Sequence, residues 1–173
     1  LYVDPFLLWK SDASLDTSLH GTLVDSFNYL GALYSKGDEA EAMDILISAS
    51  ECSEVGLGTS SNKIGKRIGK TSANQILSLF KDIPQLKECG FTHFEEIQLL
   101  VEGISKDRIS DISCSLLSNF LIDYTQDQCI RHGIPMSMVK TEIFDPKQKK
   151  FILNSKELPI NPKTVSYTHL RAH

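Results

Sequence analysis

No stretch of this 173-residue sequence carries the unbroken run of about 18 apolar residues that a membrane-spanning helix needs. Cysteine is scarce and dispersed: Cys52, Cys89, Cys114 and Cys129 form no C-x-x-C pair, which excludes a zinc knuckle and a thioredoxin-type redox motif and fits a reducing compartment. A basic excess is missing too. Lys and Arg number 18 against 22 Asp and Glu, a formal charge of −4, so no global positive field draws in nucleic acid and any polyanion contact must be local. The Gly-rich stretch Gly65-Lys-Arg-Ile-Gly-Lys-Thr71 has three residues between its glycines where a P-loop needs four, and no apolar strand runs into it. That sets aside Walker-type NTP hydrolysis. There is no internal repeat and no low-complexity tract, and the expected location is cytoplasmic.

What is present is enough apolar sequence, 41%, to bury the core of one domain. Leu1 to Trp9 is apolar apart from Asp4, and Pro5 pushes Asp4 out of the α region, so a short strand ending in a turn is expected there. Residues 16–35 carry Leu19, Leu23, Phe27, Leu30 and Tyr34 at helical spacing, and Gly37 stops that helix. Asp38 and Glu41 have capping-box spacing ahead of Met43, Leu46 and Ile47, which makes an N-terminal helical hairpin. Thr71 or Ser72 is the expected cap of a helix that buries Ile76, Leu79, Phe80 and Ile83 and ends at Pro84.

Between Phe91 and Val101, alternation places Phe94, Glu96, Gln98 and Leu100 on one face and His93, Glu95, Ile97, Leu99 and Val101 on the other, the pattern of an interior strand. A single long helix follows over 105–132, capped by Ser105, striped with Ile109, Ile112, Leu116, Leu117, Phe120, Leu121 and Tyr124, and closed by Gly133. Residues 136–144 and 150–153 read as a hairpin around Asp145-Pro-Lys-Gln-Lys149, with 158–162 as an extended connector. The expected fold is a single α+β domain in which a mixed sheet containing 93–101 is packed by the long C-terminal-half helix and the N-terminal helical hairpin. The chain opens on Leu1, and Val165–His173 resembles the translation of a sequencing-adapter read. A truncated domain over 1–162 with an artefactual tail over 163–173 is therefore expected.

Two groups of residues carry chemistry. Four glycines and four basic residues fall in the stretch from Gly56 to Lys70, directly before a helix. Lys63, Lys66, Arg67, Lys70 and Thr71 are therefore candidates for holding phosphate or a nucleic-acid backbone, because free N–H groups, the helix dipole and cationic side chains converge at such a start. The second group is acidic. A strand glutamate among apolar neighbours and the Asp107/Asp111 pair, four apart on one helix face, are each unfavourable alone. A divalent cation, Mg²⁺ or Mn²⁺, held by Glu95, Glu96, Asp107 and Asp111 would relieve both, with Glu96, Asp107 and Asp111 as catalytic residues of a metal-dependent phosphodiester hydrolase. The competing reading makes Asp107, Arg108 and Glu96 a buried ion-pair network.

The opening Asp4-Pro-Phe-Leu-Leu8 and the sequence Asp107-Arg-Ile-Ser-Asp111 resemble a group of uncharacterised bacterial and phage proteins with no assigned activity. Glu96-Ile-Gln98 is loosely similar to the (D/E)-x-K strand of restriction-endonuclease-like nucleases, with Gln98 in place of the lysine and Glu51 or Glu54 in place of the first acid. The leading expectation is a nucleic-acid- or protein-binding module of a larger protein, a defence role being one option, and the alternative is the nuclease.

Overall fold

The computed structural model describes residues 14–50, 67–102, 104–161 and 166–167. Helix α1 (Ser14–Lys36) buries Leu19, Leu23, Phe27, Leu30 and Tyr34, the stripe expected from steps of three and four. Gly37 ends it at φ 110°, a conformation that side chains oppose, and α2 (Glu39–Ala49) returns alongside it, burying Ala42, Ile45, Leu46 and Ala49. Asp38 stands at the N-cap of α2, but its side chain makes no capping bond. The capping box expected with Glu41 is thus not formed, and the buried face holds this helix in place.

Helix α3 (Lys70–Asp82) begins earlier than expected, with Gly69 at the N-cap position ahead of both Thr71 and Ser72. It buries Ala73, Ile76, Leu77 and Phe80. Its last turn meets Pro84, which has no N–H to offer a continuing helix but suits a first turn, so a second helix, α4 (Pro84–Cys89), starts there. Phe27, Phe80, Phe91 and Phe94 meet where these segments join, with ring centroids 4.9 Å apart for the edge-on Phe27–Phe94 pair.

The expected strand over 93–101 is instead a 3-10 turn, Phe94–Glu96, leading into the short helix α5 (Ile97–Leu100). The buried residues here are Phe91, Phe94, Ile97 and Val101, at intervals of three, three and four, which is the helical period. The expected long helix is also two: α6 (Lys106–Leu116) and α7 (Ser118–His132), broken at Leu117 with φ −97° and ψ 13°. Ser105 caps α6 as expected, accepting a bond from the Arg108 N–H, and Gly133 closes α7 in the left-handed region. The break rotates the buried face. Ile112 and Leu116 are in the core, whereas α7 buries Ser118, Ile122, Thr125 and Cys129, which leaves Tyr124 38% exposed and stacked on half-buried Phe120.

The sheet is an antiparallel ribbon, not a mixed sheet. β1 (Met136–Asp145) pairs with β2 (Lys150–Asn161) from Met136↔Pro159 to Asp145↔Lys150, and β3 (Ser166–Tyr167) lies against β2. β2 therefore absorbs residues 158–161, which were expected as a connector. Residues 166 and 167, expected within a tail outside the domain, pair with Asn161 and Ile160. The ribbon is buried on both faces: Phe144, near the turn, enters the helical core, while Ile143 and Leu158 belong to a second buried cluster with Ile122 of α7. Helices and ribbon share that core in one α+β domain.

Candidate functional site

The start of α3 is fixed from the end of α2. Ser50, which is fully buried, donates its hydroxyl to the Ile47 carbonyl at 2.7 Å and accepts the Ile68 N–H at 2.9 Å. That bond ties the two ends of the 51–66 segment together and seats the buried Ile68. Arg67, Ile68 and Gly69 then lead into α3, Gly69 in extended conformation at φ −77° and ψ 166°. Glycine supplies no side-chain acceptor, no side-chain capping bond is made to this end of α3 among the described residues, and its first turn holds no acidic residue. The first-turn amide donors therefore have no side-chain acceptor among the described residues, and the positive end of the helix dipole lies behind them.

Three of the five residues expected to hold an anion stand here. Arg67, Lys70 and Thr71 are exposed and flank the N-terminus of α3. Lys63 and Lys66 lie outside the described residues. A cation or hydroxyl on each side of uncapped amides is chemistry suited to phosphate oxygens, which accept several bonds at once.

The acidic group does not assemble in the same way. Glu96 is half-buried, and its Oε1 accepts the N–H of His93 at 3.2 Å, a capping bond across the 3-10 turn. Asp107 is exposed in the first turn of α6 and Asp111 half-buried one turn later. Among the described residues no three His, Cys, Asp or Glu side chains gather closely enough to hold a metal ion. The expected cation site of Glu96, Asp107 and Asp111 is therefore not formed, because Glu96 sits on a helical turn that uses its carboxylate locally and Asp107 faces solvent at a helix start that favours negative charge. The buried network of Asp107, Arg108 and Glu96 fails for the same exposure of Asp107. The Glu95 side chain, Asp4, Glu51 and Glu54 lie outside the described residues.

Two juxtapositions had no signal in the sequence. His20 of α1 and His93 approach to 5.5 Å between ring centroids, joining residues far apart in the chain. A cleft of about 390 Å³ opens between α1 and α4, with the exposed Cys89 on its rim. Cys114 and Cys129 are buried, and burial pushes the Cys129 thiol up from its ordinary value. Among the described residues no helix is long and apolar enough to cross a membrane.

A family model described as a domain of unknown function (DUF8370) matches residues 1–168. The chain belongs to that family. The DUF8370 match takes in every described element, from α1 to the ribbon, and the α3 N-terminus with them. No curated protein and no solved structure matches the chain.

Proposed function

We propose that this DUF8370 chain is a binding module that contacts the phosphate backbone of nucleic acid at the N-terminus of α3. The observation that carries the reading is the first turn of α3, acid-free and without a side-chain cap among the described residues, set beside exposed Arg67, Lys70 and Thr71 and anchored through Ser50 and Ile68. A chain of net charge −4 needs such a local concentration of donors and cations to hold a polyanion. Hydrolysis with Mg²⁺ or Mn²⁺ at Glu96, Asp107 and Asp111 lacks a carboxylate cluster among the described residues.

The experiment is fluorescence anisotropy of labelled single- and double-stranded oligonucleotides across a salt series. Arg67→Ala with Lys70→Ala is expected to weaken binding uniformly across sequences. Each lost phosphate contact should also lower the slope of log K against log salt by about 0.9 on duplex DNA. Unchanged affinity and slope in the double variant would remove the reading.

A further inference from the structure

We propose that the cleft between α1 and α4 binds a small amphipathic anion, an aromatic or alkyl body carrying one carboxylate or sulfonate. Its volume, about 390 Å³, is that of a small-molecule site. It is separate from the nucleic-acid surface proposed above: its floor residue, Phe80, lies ten positions along α3 from Lys70, about 15 Å at 1.5 Å per residue.

The floor is the Phe80 ring, laid so closely over Gly31 that its carbons stand 2.3 Å from where a Cβ at that position would be. Buried Leu86 of α4 and exposed Ala32 of α1 also line the cleft. Its end is Gly90, at φ 70°, against Asn28, whose amide is bonded to both backbone groups of Phe91. Floor and end are thus set by packing and hydrogen bonds within the chain, and a site held in this way requires little ordering on binding.

The polar groups at the mouth have one dominant sign. Lys36, from the last turn of α1, and Lys87, from α4, both line the cleft, against a single carboxylate, Glu88. The ion pair of Lys81 with Glu39 engages neither lysine. A hydrocarbon floor beneath two ammonium groups matches a ligand with an apolar body and an anionic head. A neutral hydrocarbon would make no use of the lysines, and a compact inorganic anion would make no use of the largely apolar lining of the cleft.

Anilinonaphthalene sulfonate has this chemistry and serves as the probe, titrated by fluorescence and calorimetry into the full chain. One molecule per chain is expected. Lys36→Ala with Lys87→Ala should weaken binding roughly threefold to tenfold, the scale of two exposed charge contacts. Ala32→Trp, placed at an exposed position, should fill the cleft and abolish binding. Bound probe should also slow disulfide-reagent labelling of Cys89, assigned by peptide mapping. Undiminished binding in Ala32→Trp would place the probe elsewhere, for instance on the exposed Met138 and Leu153 of the ribbon, and overturn the proposal. Equal affinity for uncharged anilinonaphthalene, or a Cys89 labelling rate unchanged at saturation, would overturn it as well. Should Ala32→Trp lose its helical circular dichroism, the lysine variant and the Cys89 rate decide the question.

Discussion

Asn28 holds both backbone polar groups of Phe91, its Nδ2 donating to the carbonyl at 2.9 Å and its Oδ1 accepting the N–H at 2.8 Å. One side chain of α1 thereby does what a neighbouring strand would do, satisfying a residue that belongs to no helix or sheet. It also fixes where Phe91 enters the aromatic cluster with Phe27 and Phe80. Asn28→Ala leaves two partly buried groups without partners, and we expect a loss of about 2–3 kcal/mol in urea unfolding at neutral pH. A loss below the error of the measurement would mean that water replaces the amide without penalty.

Gly31 and Phe80 form a second such pair, steric instead of polar. With the ring 2.3 Å from the site of a Cβ, Gly31→Ala forces either the ring or α1 to move, and overpacking of this kind typically costs about 1–3 kcal/mol. Phe80→Leu alone is also destabilising, since it removes buried ring contacts. In the double variant the two effects should not add, because the smaller side chain makes room for the methyl. Strict additivity in a double-mutant cycle would show that the Gly31 contact is not the source of the first loss.

The helical hairpin, α3 and the ribbon were legible because each has a long, clean period or a proline–glycine boundary. The failures have physical causes. In Phe91–Val101 the apolar residues are dense enough to satisfy a period of two as well as one of 3.6, and a segment this short cannot separate them. The break at Leu117 has no glycine or proline to announce it. Its surroundings are long-range: Ser118 Oγ accepts the Phe144 N–H at 3.0 Å, and Asn119 donates to the Phe144 carbonyl at 3.2 Å, bonds that span about two dozen residues. Ser113 adds a local one, donating to the Ile109 carbonyl at 2.7 Å, a back-bond that bends helices. The basic cluster before α3 is legible in composition, but nothing in the sequence marks Ser50 as its anchor. The acidic site needs Glu96 on a strand beside the helical Asp107/Asp111 pair; the helix forms, but Glu96 lies on a 3-10 turn, and the geometry that would join the two is lost.

The ribbon turn should respond to acid. The backbone N–H groups of Gln148 and Lys147 hold the Asp145 carboxyl below its ordinary value of 3.8. A depressed carboxyl contributes stability that is present above the unfolded-state value and is lost as pH falls through the folded one. Asp145→Asn keeps acceptor geometry at the turn but has no charge to lose. The stability difference between wild type and this variant should therefore shrink as pH drops below about 4, on the scale of a carboxyl's ordinary titration. A difference that stays constant through that range would show that the turn bonds do not distinguish carboxylate from carboxamide.

Ser50 separates anchoring from charge at the candidate anion site. Its hydroxyl is the acceptor for the buried Ile68 N–H, so Ser50→Ala orphans that donor at a cost of about 1–3 kcal/mol, read as a lower unfolding midpoint. No cation is removed. If Arg67, Lys70 and the α3 amides bind phosphate because Ser50 sets where they stand, Ser50→Ala should weaken oligonucleotide binding at every salt concentration with no change in the salt slope. Lys70→Ala should change the slope and leave the midpoint nearly unaltered, since surface substitutions usually shift stability within about 0.5 kcal/mol. The two variants thus move two observables in opposite combinations. Should Ser50→Ala lower stability yet leave binding at wild-type strength, the exposed cations act without the anchor, and the contact is a diffuse electrostatic one instead of a built site.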